Sequence, residues 1–415
     1  MIKRRYHLVF TILRPIFRLY LRLAYNYRPT PAPRLAAGQP ALILANHNCN
    51  LDPFMISVSF RRPIFFVASD HLFRLGWISA VIRFLVAPIP IVKSQLDLRT
   101  IRTMIKVMQD GGAIGLFPEG NRSFNGRTGW FPASTGKLVR QLNCTLVLYR
   151  IDGGYLTTPR WAIRKRRGIM HGSVVRSIEP PELAAMTPEA INDIIRTTLT
   201  VDAYAGQKTG QPVRFRGRRL AEALERTLFV CPKCRGLDTL RSQDDRFACP
   251  CGLTVRLNDR GLFEPADDWS RGQRTAGTFI ETVADWDSWQ RQALVAMLDD
   301  PQALDWSGRK PIFTESAETL YSCERANRTT RLDHGRLSLF VDRLVFDGIN
   351  GSRQFALADI ARVIVHGPQV LQFATTEAAV FELKSQLRRS AYKYVLLFHL
   401  LEQKRQGKTP VFFGI

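Results

Sequence analysis

The chain has 415 residues, enough for two or three domains, and 45% of them are hydrophobic, enough for ordinary cores. Lys and Arg outnumber Asp and Glu by 59 to 36, a formal charge of +23 that points to nucleic acid, an anionic membrane or acidic substrates. The arginines are scattered along apolar segments rather than gathered on one recognition helix, and no nucleic-acid motif accompanies them, so no nucleic-acid partner is expected.

Residues 1–38 open the chain without a single acid; Asp52 is the first. Lys3, Arg4, Arg5, Arg14, Arg18, Arg22 and Arg28 interrupt an apolar run of Phe10, Leu13, Phe17, Tyr20, Leu21, Leu23 and Tyr25. These charges exclude a spanning helix. No small-residue cleavage site is evident, so a secretory signal peptide is not expected. Arg14, Arg18 and Arg22 recur every four residues and form one stripe on a helix, with Pro15 a candidate kink. The pattern predicts a basic, aromatic-rich amphipathic helix lying in a bilayer interface, against the plainer reading of a helix docked on a domain surface. A second apolar stretch, Leu72 to Val92, is broken by Arg74, Arg83, Pro88 and Pro90 and reads as short helices and a strand.

From 39 to 205 strand-like and helix-like segments alternate. Strands are expected at Ala41–Ala45, Ile64–Ala68, Ile89–Val92, Ala113–Phe117 and Thr145–Ile151. A helix is expected from Asp97, its cap, to Gln109, where Gly111-Gly112 ends it, and another from Ser134 to Leu142. This predicts an α/β layer fold with a largely parallel sheet flanked by helices. Two motifs directly follow strand candidates, the ends where open α/β sheets bind ligands. The first, Asn46-His47-Asn48-Cys49-Asn50-Leu51-Asp52-Pro53, lets a carboxylate fold back onto an imidazole across one turn, fixing the tautomer and stabilising the imidazolium. The second, Phe117-Pro118-Glu119-Gly120-Asn121-Arg122-Ser123, supplies a glycine turn, a carboxylate and a guanidinium, groups suited to a phosphorylated alcohol.

Together, over roughly Pro40 to Val201, the two motifs resemble the glycerolipid acyltransferase family, of the 1-acylglycerol-3-phosphate O-acyltransferase type. The resemblance implies a membrane-associated enzyme of phospholipid synthesis or remodelling. It would transfer a fatty acyl group from acyl-coenzyme A or an acyl carrier protein to a lysophospholipid hydroxyl. His47 would be the general base and Asp52 its orienter, and no metal or nucleotide would be needed for catalysis. Glu119 and Gly120 would shape the acceptor pocket, and Arg122 with Ser123 would contact the acceptor phosphate. Lys93 stands where the family usually has arginine, and Asn121 where threonine is common. Downstream, Leu148-Tyr149-Arg150-Ile151-Asp152 replaces a proline-containing strand end, and the basic run Arg160 to Arg167 is a candidate for lipid headgroups or an acidic acyl carrier. The expected location is peripheral, on the cytoplasmic face of an anionic membrane. The remaining histidines lack an acid at comparable spacing.

Residues 206–226 read as a basic linker. Cys231, Cys234, Cys249 and Cys251 follow, four of the seven cysteines, in two Cys-Pro turns about fifteen residues apart. Over 227–265 they resemble a zinc ribbon closed by four thiolates with no catalytic position open. Two disulfides are the alternative; the isolated Cys49, Cys144 and Cys323 and the lack of a secretion signal favour structural zinc. A helical connector is expected at 266–314. At 315–415 short strands are expected (Leu337–Val341, Arg343–Phe346, Arg353–Leu357, Arg362–His366, Val370–Thr375, Ala379–Leu383), with turns at Asp333-His334-Gly335, Asp347-Gly348 and Asn350-Gly351 and a helix over 388–404. That order resembles a pleckstrin-homology-like barrel in architecture alone. The competing function is a non-enzymatic membrane adaptor that binds lipid and recruits a partner through the ribbon and barrel.

Overall fold

The computed structural model describes residues 4–36, 38–69, 77–91, 98–208, 212–323 and 329–407. They divide between two compact units, one drawn from Met1–Pro159 and Lys165–Arg216, the other from Arg160–Arg164 and Gly217–Phe413.

In chain order the first unit contains α1 (Arg4–Tyr25), β1 (Tyr27–Pro29), β2 (Ala41–Ala45), α2 (Asp52–Ser57), β3 (Phe65–Ser69), α3 (Trp77–Val86), β4 (Ile89–Ile91) and α4 (Leu98–Gln109). Then come β5 (Ala113–Leu116), α5 (Ser134–Leu142), β6 (Thr145–Asp152), α6 (Gly154–Thr157), β7 (Met170–Ile178), α7 (Pro180–Ala184), α8 (Pro188–Leu199) and α9 (Ala205–Lys208). The seven strands form one sheet in the order β1-β7-β6-β2-β5-β3-β4. Every neighbouring pair is parallel except β6 and β7. The largely parallel sheet expected from the sequence is present, with β1 and β7 as unforeseen additions. The polar spacing of β7 (His171, Ser173, Arg176) hides its strand character, and β1 is three residues long.

Both faces of the sheet are covered, which explains the unbroken apolar run of β2. Leu42 and Leu44 pack with Met104 and Val107 of α4, Val139 and Leu142 of α5 and Ile191 and Ile195 of α8. Ala41, Ile43 and Ala45 face the opposite way, onto Leu21 of α1 and Met55 and Ile56 of α2. Alternation with period two thus builds a helix–sheet–helix sandwich. Gly111 ends α4 with φ +72°, and a Cβ there would lie 2.5 Å from the Gly38 carbonyl oxygen, so the turn admits glycine. Lys93, the capping role of Asp97 and the end of the third strand candidate at Val92 lie outside the described residues.

The second unit holds a small antiparallel sheet of β8 (Arg241–Gln243), β9 (Arg246–Ala248), β10 (Thr254–Leu257) and β11 (Phe263–Pro265), then α10 (Asp268–Thr275) and α11 (Val283–Asp299). Its larger sheet comprises β12 (Phe313–Cys323), β13 (Thr329–Leu339), β14 (Arg343–Gly348), β15 (Gly351–Ala356), β16 (Ile360–His366), β17 (Val370–Thr375) and β18 (Val380–Ser385), followed by α12 (Ala391–Arg405). The order is β15-β14-β13-β12-β18-β17-β16, antiparallel throughout. Two expected turns are strand instead. Asp333-His334-Gly335 is part of β13, where it pairs with β12 and β14, and Asp347-Gly348 is the end of β14, where it pairs with β13 and β15. Asp333 instead uses its carboxylate to accept from Asn350 and His334 amides, tying the β14–β15 hairpin.

Within residues 206–226 exposed arginines alternate with packed stretches. Phe215 is buried in the first unit against Gly168, and Leu220 to Leu224 are buried in the second. Within the basic run, Arg160 is likewise buried, and its guanidinium donates to the carbonyls of Val365 (2.8 Å) and Gly367 (3.0 Å). Arg160 is therefore a structural member of the second unit rather than a surface charge.

Candidate active site

His47 and the 117–123 segment emerge from adjacent parallel strands. β2 and β5 pair in register up to Leu44 and Leu116, so both motifs leave the same edge of the sheet. Asn46 then anchors the first loop. Its amide donates to the Ile151 carbonyl at 2.9 Å and accepts from the Ile151 N–H at 2.8 Å, bracing β2 against β6.

Between Asn46 and α2 the chain makes one turn, which brings Asp52, at the first position of α2, back to the imidazole. Asp52 Oδ2 lies 2.8 Å from His47 Nδ1. The same oxygen accepts from the amides of Asn48 at 2.5 Å and Cys49 at 2.9 Å. The Cys49 thiol donates to Oδ1 at 3.1 Å. Asp52 is fully buried, and its placement in the first turn of a helix favours the negative charge. Burial, Asp52 and their hydrogen bond push the Cys49 thiol well up, so it acts as a neutral donor. With Nδ1 committed to Asp52, the proton-accepting nitrogen is Nε2, and the imidazole side chain keeps 20% of its surface open.

Phe117 lies flat against the His47 ring, centroids 4.2 Å apart and planes 16° apart. Glu119 is buried; Oε1 accepts from His47 N–H and Oε2 from Gly129 N–H, each at 2.8 Å. Burial pushes its carboxyl up to about 7, with Asp52 adding to the rise and the two amides opposing it. Gly120 turns the chain with φ +66°. The Arg122 guanidinium is half-buried, and burial lowers its pKa while Cys49 and Asp52 oppose the change. Ser123 donates its amide to the His47 carbonyl at 3.1 Å. Its hydroxyl donates to Arg127 O at 2.7 Å and accepts from Gly126 N–H at 2.9 Å, closing the following turn.

The structure thus gathers His47, Asp52 and Glu119 by direct bonds and carries Gly120, Arg122 and Ser123 beside them. Asn46, Cys49 and Phe117 also serve the site but were not singled out as site residues. Phe117 had a signal, being the aromatic that ends an apolar strand immediately before the Pro-Glu-Gly turn.

A second chemical cluster lies in the other unit. Cys231, Cys234, Cys249 and Cys251 place their four Sγ atoms within 4.8 Å of one another. The Cys231–Cys251 and Cys234–Cys249 sulfurs are each 3.7 Å apart. Four thiolates about 2.3 Å from a tetrahedral zinc stand about 3.8 Å from each other, whereas a disulfide requires about 2.05 Å. The donor set and spacing therefore fit a metal ion.

Comparison with known proteins bears on the first unit. A family model described as Acyltransferase matches residues 26–151. A 1-acyl-sn-glycerol-3-phosphate acyltransferase of Borreliella burgdorferi is 26% identical over 145 residues, 34% of this chain and 57% of the relative; the chain thus spans less than two thirds of that protein. Among solved structures, the 1-acyl-sn-glycerophosphate acyltransferase PlsC of Thermotoga maritima aligns with TM-score 0.40 and 17% identity over 46% of this chain and 76% of its own. The C-terminal domain of an unknown protein from Leishmania infantum aligns with TM-score 0.18 and 14% identity over 23% of this chain and 87% of its own. The segment that matches the Acyltransferase family model, residues 26–151, contains His47, Asp52 and the 117–123 segment.

Proposed function

We propose that the chain is a membrane-associated O-acyltransferase that moves a fatty acyl group from acyl-coenzyme A or an acyl carrier protein to the hydroxyl of a lysophospholipid such as 1-acylglycerol-3-phosphate. The observation that carries this reading is the His47–Asp52 pair, its Nδ1 bond 2.8 Å long and the imidazole partly exposed, inside the segment matched by the Acyltransferase family model. Nε2 takes the acceptor hydroxyl's proton as the oxygen attacks the thioester carbon. The ester C–O bond forms, the C–S bond breaks, and the imidazolium returns the proton to the departing thiolate. Asp52 remains charged and stabilises the imidazolium, and general-base assistance of this kind contributes ~10²–10⁴ in rate. In this reading Arg122, with Lys93, meets the acceptor phosphate.

The membrane location is supported by α1. Tyr6 and Leu21 are buried, Phe17 stacks on Phe54 at 4.5 Å, and Arg14 donates to the Val58 carbonyl at 3.2 Å. On the other side Leu8, Ile12, Ile16, Leu19 and Leu23 are each more than half exposed, beside exposed Arg18 and Arg22. Exposed Val81 and Phe84 of α3 extend this apolar surface, and Arg5 stacks over Phe84 at 4.6 Å. No helix among the described residues is long and apolar enough to cross a membrane, and a face of this kind suits peripheral insertion at an anionic cytoplasmic leaflet. Structural zinc at the four cysteines completes the proposal. An adaptor without catalysis has no use for an imidazole oriented by a buried carboxylate and left partly exposed.

The test is release of free thiol from acyl-coenzyme A by purified full-length protein presented with a panel of lysophospholipids. Turnover dependent on a lysolipid supports the reading. Absence of thiol release with every donor and acceptor, including acyl carrier protein, overturns it in favour of the adaptor.

A further inference from the structure

We infer that Phe117, Glu119 and the Ser123 amide form a bracket that positions His47, and that Glu119 acts on the histidine rather than on the acceptor. This inference rests on the proposed role of His47 as base. Its ground is a backbone problem. β2 ends at Ala45, so the peptide groups of His47 lie beyond the sheet ladder and need partners elsewhere. The 117–123 segment supplies both: Glu119 Oε1 accepts the His47 N–H at 2.8 Å, and Ser123 N–H donates to the His47 carbonyl at 3.1 Å. Phe117 covers one face of the imidazole at 4.2 Å. Three residues of one segment therefore fix the amide, the carbonyl and the ring of one histidine, while Asp52 fixes Nδ1.

Glu119 is occupied on both oxygens. Oε2 accepts from Gly129 N–H, so the side chain ties the His47 loop to the 129 turn and has its two amide donors in separate stretches of chain. A buried carboxylate in this position is an internal strut. Glutamine is nearly isosteric but has one acceptor oxygen; its NH2 would face one of the two N–H groups. Misplacing a base by about 1 Å costs on the order of 10² in rate.

Steady-state kinetics of Glu119→Gln in the full chain should show kcat lowered about tenfold or more with acceptor KM within about twofold of wild type. The second readout is independent of turnover. The His47 ring protons, assigned by their loss in His47→Ala, should be shifted upfield by the Phe117 ring, and should move in both Glu119→Gln and Phe117→Leu. If Glu119→Gln does not fold, Phe117→Leu, which leaves the Glu119 amide bonds in place, carries both measurements. An acceptor KM raised with kcat preserved, or His47 resonances unmoved in a folded Glu119→Gln, overturns the bracket. A wild type that transfers no acyl group overturns the proposed function instead, and the resonances still decide whether the bracket exists.

Discussion

Asp52 has its charge distributed over an imidazole, two backbone amides and a thiol, so the carboxylate is held before any substrate arrives. His47→Ala is expected to reduce kcat/KM about 10²-fold or more in folded protein, with Asp52→Asn reducing it less completely. Thiol release by His47→Ala within about threefold of wild type would remove the general-base mechanism. Glu119 sets an opposition between stability and catalysis. Its folded pKa is raised from 4.5 to about 7, so the folded state binds the proton more tightly than the unfolded chain. Its contribution to stability is therefore favourable below about pH 4.5 and is lost as pH rises through about 7. Catalysis runs the other way, because only the ionised carboxylate offers both oxygens to the His47 and Gly129 amides. Activity should rise through about pH 7, and this limb should vanish in Glu119→Gln; an unchanged acid limb there means that Glu119 is not the ionising group.

At the scale of elements, α1 has two apolar faces separated by arginines. The inner one, with Tyr6, Phe17 and Leu21, docks on the domain; the outer one, from Leu8 to Leu23, remains open. The docked-helix and interfacial-helix readings of residues 1–28 are thus compatible. Deleting residues 1–28 should lower cosedimentation with anionic liposomes, and high salt should weaken it partly, since each basic group near such a surface contributes about 1 kcal/mol. Liposome binding unchanged by the deletion places the membrane contact elsewhere in the chain. β13 carries a different lesson. Asp-His-Gly signals a turn locally, but Gly335 sits where a Cβ would lie 2.0 Å from the Asp347 carbonyl oxygen, so the glycine serves close strand packing.

At the scale of the molecule, buried charge ties the cysteine-bearing segment and α12 of the second unit to its larger sheet. Arg389 donates to both oxygens of Glu318, at 2.6 and 2.8 Å. Lys393 of α12 pairs with Glu315 at 2.7 Å and with Asp238 of the cysteine-bearing segment at 3.2 Å. Removing one member of such a network leaves an uncompensated buried charge. Asp238 lies four residues after Cys234, so in the proposed zinc-bound protein removal of the metal should be felt through α12. Elemental analysis should find about one zinc per chain, and chelation or Cys234→Ser should lower the unfolding midpoint of this unit. Metal-free protein with these thiols oxidised in pairs would establish the disulfide reading instead.

The sequence by itself determined the alternating strands and helices, the sheet edge at which both motifs emerge, the amphipathic first helix and the four cysteines. Each of these is written in local order: period, spacing and the residue following a strand. Tertiary structure decided what local order cannot express. The Glu119 carboxylate meets an amide seventy-two positions away, Asn46 meets Ile151 across the sheet, and Arg160 joins a unit made mostly of residues beyond 216. The placement of β7 is decided the same way, because a half-polar strand is specified by its pairing with β1 and β6 rather than by its own pattern. Sequence names the groups able to do the chemistry, while packing settles which of them touch one another, because hydrogen-bond partners are chosen by proximity in space.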